Sequence, residues 1–526
     1  METKDRRNSE GYETSPEKNV RDRQRRNSSS RDKGEYPRRA GSSSGNGQRR
    51  QLTRAQIVKR RRRRRRIMMY RMACAGIAVL IVVIGILGVV ITNKIKKSKA
   101  EKEQKAQQEA QLLADQEAAE KQKFMDFGLR LAMGYDYDGA IAYFKNSVKY
   151  ADDPEVLEAI ADIEQQKSEL VAVDTEKVPH IFFHTLVADP SITWNLTGED
   201  EYKMADYNEV MTTIDEFNAI MQQMYDRGYV LVSITDLVVE NEDGTFSKNE
   251  NLLLPPGKKP FVLSQDDVCY YFYMIGDGYA DKLIVGEDGK PTNEYIQADG
   301  TVVTGSYDVV PCLNDFIEEH PDFSYKGARG ILALTGYNGI LGYRTDPDLA
   351  KTAAEGNEYA EEYGTFDTAA EIEKVKPVIE CLKRDGWEFA SHSYGHISYG
   401  SSFEKVKVDA DKWQERVGDI IGETEILIFP FGTDIGDWRG YEEDNEKFNY
   451  LRKQGFRYFC NVDSNEYWVQ LTSDIVRQGR INLDGFRMYQ DLFGGSDKLS
   501  HLFDVKEVFD YNRPDTGLDQ WQGNQS

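Results

Sequence analysis

The sequence contains few of the residues that mark a disulfide-rich protein. Its 526 residues include five cysteines, one of which, Cys74, lies in an uncharged apolar stretch. The other four (Cys269, Cys312, Cys381 and Cys460) include no Cys-x-x-Cys pair. This number and spacing exclude a disulfide scaffold and favour buried or incidental thiols.

Apolar residues are also scarce at the start of the chain, where the first 50 positions contain almost no Val, Ile, Leu or Phe. Such a segment cannot bury enough apolar area to fold, so we predict a disordered basic tail over residues 1–66. Residues 1–71 hold 24 Lys and Arg against 8 Asp and Glu, whereas the rest of the chain holds 43 against 81. This charge asymmetry predicts that the two parts of the chain lie in two different environments. The acidic charge of the second part argues against nucleic acid as a partner.

One stretch, residues 72–93, carries no charged side chain. A helix of this length crosses a hydrocarbon core of about 30 Å, so we predict a single transmembrane helix over residues 67–93, with the lipid bilayer as its partner. A cleaved signal peptide is the alternative, but the stretch begins far from the N-terminus, and lysines follow it instead of a small-residue cleavage site. The upstream basic run, residues 59–66, predicts a cytoplasmic N-terminus and an external remainder by the positive-inside rule.

Two helical segments are expected after the apolar stretch. Residues 94–123 are rich in Ala, Gln, Glu and Lys and lack Gly and Pro, which predicts a helical stalk. Residues 124–170 resemble one tetratricopeptide repeat, with Gly134, Tyr135 and Pro154 at its breaks. A lone repeat is below the usual three for independent stability, so a helical spacer and a peptide-binding module both remain open.

From residue 179 onward, short apolar runs alternate with helix-like stretches, several of which end at a glycine such as Gly386 or Gly455. This alternation predicts an α/β fold with a parallel sheet, either open or closed into a barrel. We assign residues 178–500 to this domain and residues 501–526 to a C-terminal tail. In a barrel of this kind, the catalytic residues are expected at the ends of the strands.

Two carboxylates follow one of the apolar runs. The run Phe-Val-Leu-Ser-Gln leads directly into Asp266 and Asp267. Neighbouring side chains of an extended chain point to opposite faces, so both carboxylates serve one site only where the strand is ending. Taken alone, the pair is also explained as an acidic loop.

Two of the six histidines likewise follow an apolar run. His392 and His396 come after Glu-Phe-Ala-Ser and are four positions apart, a spacing that lets two imidazoles bind one metal. His180 and His184 have the same spacing, but a half-buried strand explains them. The first pair is favoured because it follows a strand and has a carboxylate pair upstream. Two imidazoles and one carboxylate leave metal positions open for water and substrate.

A third strand end, Phe-Pro-Phe-Gly at residues 429–432, predicts by itself only a turn. Together, the three strand ends resemble the motifs of the polysaccharide deacetylase family, also called the NodB-homology or carbohydrate esterase family 4 domain. The resemblance covers roughly residues 179–501. The family motif His-Ser/Thr-x-x-His is complete at residues 392–396. The first motif reads Ser-Gln-Asp-Asp-Val where the family has Thr-Phe-Asp-Asp-Gly, and the third has Ile428 in place of an arginine.

The resemblance implies a distorted (β/α) barrel and a metal-dependent hydrolysis. By position, Asp266 is implied as the general base that takes a proton from the attacking water. Three residues are implied as ligands of one divalent metal ion, expected to be zinc: Asp267, His392 and His396. The turn with Pro430 and Phe431 is implied to bind the substrate, the backbone N–H of Phe431 holding the oxyanion.

Two family features are missing from their usual places. Because Ile428 replaces the family's arginine, the way in which Asp266 is held is expected to change. The late Leu-x-His motif, which supplies the general acid, is not found near residues 480–484. The branch typified by poly-N-acetylglucosamine deacetylases, whose motifs are permuted, takes this histidine from an opening strand, where Phe183 and His184 stand here. The resemblance therefore implies His184 as the general acid.

These residues predict hydrolysis of acetamide groups on an N-acetylated cell-wall or extracellular glycan, at the outer face of a bacterial cell membrane. One alternative is a catalytically weakened family member that binds the glycan, which a position of His184 away from the pocket of His392 would favour. The other is an assembly protein whose residues 124–170 recruit wall-assembly partners.

Overall fold

The structure is a computed structural model that describes residues 53–514 and Leu518. The chain divides into two units, Met1–Gln108 and Glu109–Ser526. Because the description begins at residue 53 and is continuous only to residue 514, most of the predicted basic tail and the end of the predicted C-terminal tail lie outside the described residues.

A single long helix, α1 (Arg54–Met133), begins in the first unit. Among the described residues, it is the helix that is long and apolar enough to cross a membrane, and it includes the predicted span at residues 67–93. Residues 54–66, which the sequence assigned to the disordered tail, are helical. Arg and Lys are good helix formers, and this run continues into the apolar stretch without Gly or Pro.

Short strands make up the sheets of the second unit. Within residues 53–514 they are β1 (Val171–Ala172), β2 (His180–Phe183), β3 (Tyr229–Leu231), β4 (Val238–Glu240), β5 (Phe246–Lys248), β6 (Leu253–Leu254), β7 (Lys259–Gln265), β8 (Lys282–Val285), β9 (Pro291–Ile296), β10 (Val302–Gly305), β11 (Ile331–Leu334), β12 (Glu388–Ser391), β13 (Ile426–Ile428), β14 (Tyr458–Val462), β15 (Val469–Thr472) and β16 (Ile475–Asn482).

Seven of these strands form a closed parallel barrel in the described part of the chain, in the order β2, β7, β11, β12, β13, β14 and β16. The pairing of β7 with β11 and that of β16 with β2 complete the ring. Outside it, β3 pairs with β7, and β15 forms an antiparallel pair with β16. The predicted (β/α) barrel is confirmed, and the alternative prediction of an open parallel sheet was wrong.

Helices cover the strands and connect them. Over the same described residues they continue after α1 as α2 (Tyr137–Lys145), α3 (Pro154–Ser168), α4 (Pro190–Thr193), α5 (Glu201–Val210), α6 (Ile214–Asp226), α7 (Val309–Glu319), α8 (Pro347–Ala354), α9 (Glu358–Tyr363), α10 (Thr368–Asp385), α11 (Phe403–Trp413), α12 (Asp419–Ile421), α13 (Glu446–Lys453), α14 (Gly485–Phe493) and α15 (Val505–Val508). As the sequence indicated, Gly386 ends α10 in the left-handed conformation and β12 follows.

The two faces of the barrel strands belong to two apolar clusters. In β11, Leu332 lies in the cluster shared with the surrounding helices, whereas Ile331 and Ala333 lie in a second cluster. Side chains alternate between the faces of a strand, which explains this division. The second cluster also contains Phe144 of α2 and Ile160 of α3. The repeat-like helices thus pack on the barrel domain.

The chain after residue 500 contributes to the folded body. Helix α15 lies in the segment that the sequence assigned to a tail, and Arg513 is buried against Glu216 of α6, with Nη2 and Oε2 at 2.5 Å. Both side chains are 1% exposed. A buried charge requires such a partner, so this pair holds the segment against α6.

Candidate active site

The residues of the predicted metal triad lie together at the C-terminal ends of the barrel strands. Asp267 follows β7 and His392 follows β12, and one ligand atom from each of Asp267, His392 and His396 lies within 4.8 Å of the others. Asp267, His396 and Phe431 have φ angles of 57°, 48° and 57°. This left-handed region is costly for residues other than glycine, and such strain is concentrated at functional sites.

One ring nitrogen of His392 is fixed by the backbone. Its Nδ1 lies 2.9 Å from the carbonyl oxygen of Ile428, so Nδ1–H donates and Nε2 keeps its lone pair. Burial lowers the pKa of His392 to about 4, which leaves the ring neutral at neutral pH. A neutral imidazole with its second nitrogen oriented by a carbonyl is the form that binds a metal.

Asp267 is oriented by a tyrosine. Its Oδ1 accepts a hydrogen bond of 2.7 Å from Tyr271, and its Oδ2 lies 3.7 Å from Nε2 of His396. The Tyr271 hydroxyl also lies 2.9 Å from Oγ1 of Thr335. The donor set of one carboxylate and two imidazoles therefore fits a divalent cation with open positions, and zinc favours these ligands.

We expect the variant Tyr271→Phe to bind Zn²⁺ about 10–100-fold more weakly, because groups that orient a ligand contribute this much to metal affinity. The measurement is competition with a chelating dye. Tyr225→Phe is the matched control, since that hydroxyl also donates to a carboxylate, Oδ1 of Asp322 at 3.0 Å, at residues outside the triad. Equal Zn²⁺ affinities of the two variants would contradict the role of Tyr271.

Asp266 is held as a carboxylate by a buried arginine. It is 3% exposed, its Oδ1 accepts a hydrogen bond of 2.7 Å from Nη1 of Arg480, and its Oδ2 lies 3.8 Å from Nε2 of His392. Burial raises the pKa of Asp266, but the charge and hydrogen bond of Arg480, together with the nearby imidazoles of His392 and His184, outweigh it, and the pKa falls to about 2. The carboxylate is ionised at neutral pH, as a general base must be.

Arg480, which contacts Asp266, was not among the site residues predicted from the sequence. Position 428 on β13 is an isoleucine, and the guanidinium that contacts Asp266 comes from Arg480 on β16. It is 1% exposed. Arginine is almost never fully buried without a charged partner. The arginines in the strand Ile-Val-Arg-Gln-Gly-Arg-Ile-Asn were therefore the sequence signal for a buried ion pair.

A chain of buried polar contacts supports Arg480 from within the barrel. Nη1 of Arg480 lies 3.2 Å from Oγ of Ser264, which lies 2.9 Å from Nε2 of His180. Nδ1 of His180 lies 3.2 Å from Oε1 of Gln478. His180 therefore has a structural position in β2, in agreement with its assignment to a strand.

His184 lines the same cavity as Asp266 and the metal triad. Its Nδ1 donates to the carbonyl oxygen of Val210 at 3.1 Å, which leaves Nε2 available for proton transfer. Asp484, a buried carboxylate, also lines the cavity. His184 thus lines the cavity that His392 also lines.

The cavity has a volume of about 1440 Å³. Phe431, a residue that is 69% exposed, lines the cavity, and its ring centroid lies 4.4 Å from that of His396. Pro430, beside it, is buried. Glu209, which the sequence did not single out, also lines the cavity; burial and then the charge of Asp484 raise the pKa of Glu209 to about 7.

Comparisons with known proteins give matches among solved structures. No family model matches the chain, and no curated protein matches it. Streptococcus pyogenes deacetylase PplD in complex with acetate is 11% identical, with a TM-score of 0.30, over 59% of this chain and 92% of that chain. BA0330 of Bacillus anthracis, described as a polysaccharide deacetylase, is 11% identical, with a TM-score of 0.30, over 58% of this chain and 64% of that chain.

Proposed function

We propose that this chain is a metal-dependent hydrolase of acetamide groups on an N-acetylated cell-wall or extracellular polysaccharide, a member of the polysaccharide deacetylase family. One observation carries the proposal. Asp267, His392 and His396 bring their ligand atoms within 4.8 Å of one another, in a cavity that also contains the ionised Asp266 and His184. This constellation combines a metal site, a base and an acid.

Each residue has a role in the proposed reaction. A divalent cation held by the triad, most suitably zinc, would lower the pKa of a water molecule and polarise the acetamide carbonyl. Asp266 takes a proton from the attacking water, and Arg480 keeps Asp266 ionised. The backbone N–H of Phe431 stabilises the oxyanion. His184 gives its proton to the leaving amine.

Two features support this active enzyme over a weakened glycan-binding protein. The motifs of this chain lack the arginine that the family has at the position of Ile428, and they lack the family's late histidine. Arg480 supplies a guanidinium to Asp266 at 2.7 Å, and His184 supplies an imidazole in the same cavity. Recruitment of wall-assembly proteins by residues 124–170 stays a separate proposal.

The proposal includes a location. Helix α1 would cross a bacterial cell membrane at residues 67–93, with the N-terminus in the cytoplasm and the barrel domain outside. The length and apolar composition of α1 support the crossing. The basic run at residues 59–66 supports the orientation by the positive-inside rule.

The test is acetate release from N-acetylglucosamine oligomers by the full-length chain in detergent. We expect release to stop when a chelator removes the metal and to return when Zn²⁺ is added back, because the triad acts through the cation. His392→Ala is the control, which should neither bind Zn²⁺ nor regain activity. A Zn²⁺-loaded wild-type chain that releases no acetate from any N- or O-acetylated glycan would refute the proposed function.

A further inference from the structure

The N-terminal part of α1 carries an uninterrupted run of cations. Residues 59–66 are one lysine and seven arginines, and all eight side chains are exposed on the helix. Each residue of an α-helix turns by about 100°, so these eight residues cover more than two turns and face every side of the axis. We call residues 59–66 the arginine collar.

The arginine collar has no acidic neighbour along its own helix. No Asp or Glu occurs between residue 54 and residue 100. Like charges that are three or four positions apart on a helix repel each other. The collar brings eight of them into about 12 Å of helix, so an anion from outside the helix would relieve the repulsion.

The arginine collar lies beside the apolar stretch of the same helix. Large apolar side chains between Ile67 and Ile91 are exposed, and residues 72–93 carry no charge. Residue 66 precedes residue 72 by six positions, about 9 Å along the axis. The headgroup layer occupies about 5–8 Å on each side of a hydrocarbon core. With α1 across a membrane, the end of the collar that is nearer the apolar stretch therefore lies at the headgroups.

The kind of cation in the collar is suited to one class of headgroup. A guanidinium binds a phosphate through two parallel hydrogen bonds, whereas a lysine ammonium acts as a point charge. The positive-inside rule counts Lys and Arg alike, so orientation does not require arginine. The opposite flank carries three lysines, Lys94, Lys96 and Lys97. A nucleic acid offers the same phosphate chemistry, but an anionic membrane surface at the collar would repel it.

We propose that the arginine collar binds the phosphodiester headgroups of anionic phospholipids, so that the chain gathers these lipids around the end of α1 at which the collar lies. This inference rests on the membrane location that the proposed function includes, and it is independent of the hydrolysis. The bound phosphates neutralise the collar, and the guanidinium groups hold this end of α1 at the depth of the headgroups.

The experiment uses Cys74 of the full-length chain as the site of a fluorophore. Cys74 is exposed, whereas the other four cysteines are buried, and it follows residue 66 by about 12 Å of helix. The labelled chain is placed in phosphatidylcholine vesicles that contain a spin-labelled quencher, either phosphatidylglycerol or phosphatidylcholine. We expect phosphatidylglycerol to be about fivefold enriched near the fluorophore, the excess that one arginine contact with an anionic lipid gives. High salt should reduce this excess.

A triple variant with Arg64→Gln, Arg65→Gln and Arg66→Gln should lose most of the enrichment, because it removes the three collar cations that lie nearest the headgroups. Replacement of all seven arginines of the collar by lysine should keep part of it, since an ammonium retains the charge but not the paired hydrogen bonds. Both variants are measured with the same fluorophore and the same vesicles as the wild type.

The matched control is the triple variant with Lys94→Gln, Lys96→Gln and Lys97→Gln. It removes the same number of charges from the opposite flank of the apolar stretch. Quenching of the fluorophore at Cys74 should equal that in the wild type, because the removed cations lie at the other membrane surface. An equal loss in the two triple variants would overturn the inference.

Three further results would also overturn the inference. The first is equal quenching by the two lipids in the wild type, and the second is an excess that high salt leaves unchanged. The third is displacement of the spin-labelled phosphatidylglycerol by single-stranded RNA, which would assign the collar to nucleic acid. A chain that does not float with the vesicles contradicts the proposed location together with the inference. Lipid enrichment without acetate release contradicts the proposed hydrolysis alone.

Discussion

Replacement of Arg480 by glutamine is expected to lower the free energy of unfolding by about 3–5 kcal/mol, the usual cost of leaving one partner of a buried ion pair without the other. Asp266 is 3% exposed and receives the Arg480 guanidinium at 2.7 Å. Without that charge, burial raises the pKa of Asp266, and the fraction of ionised base falls. Urea unfolding followed by tryptophan fluorescence measures the first effect, and acetate release measures the second.

Arg477→Gln is the matched control for Arg480→Gln. Arg477 is also 1% exposed on β16 and is paired with Asp434 at 2.7 Å, but it has no contact with Asp266 among its hydrogen bonds. We expect a similar loss of stability with a smaller loss of acetate release. The double variant Asp266→Leu with Arg480→Met should regain stability and remain inactive. An Arg480→Gln chain as stable and active as the wild type would contradict the role of this pair.

The sequence predicted those parts of the site that depend on local spacing. Asp267 follows an apolar run, and His392 and His396 are four positions apart, so short segments of chain carried the information. The alternation of strands and helices placed these segments at one end of a parallel barrel. The structure brings all three together within 4.8 Å.

Contacts between distant strands were not predictable in this way. Arg480 is 214 positions from Asp266, and nothing in the local pattern of β16 indicates which strand it faces. Only the closure of the barrel makes the pair possible. The C-terminal segment could not be predicted for the same reason. Arg513 lies in a polar stretch, and it is buried only because it pairs with Glu216, 297 positions away.

The variant His184→Gln is expected to reduce kcat for acetamide hydrolysis by about 10²–10⁴-fold, the usual contribution of a general acid. The amine that leaves an acetamide must be protonated, and among the residues of the cavity His184 has a free Nε2, because Nδ1 donates to Val210 at 3.1 Å. Glutamine keeps a hydrogen-bond donor of similar size at this position but cannot transfer a proton. Zn²⁺ affinity should stay unchanged, which a chelating dye can measure.

A substrate with a better leaving group separates acid catalysis from a structural effect of His184. Nitrophenyl acetate releases a phenolate that needs no proton, so His184→Gln should hydrolyse it nearly as fast as the wild type while remaining slow on the glycan. His320→Gln is the control, because His320 packs against Tyr225 with ring centroids 4.4 Å apart and is not among the residues that line the cavity. Equal losses on the ester and the acetamide would contradict proton donation by His184. They would instead indicate that the imidazole positions the substrate, a role that weakens both reactions alike.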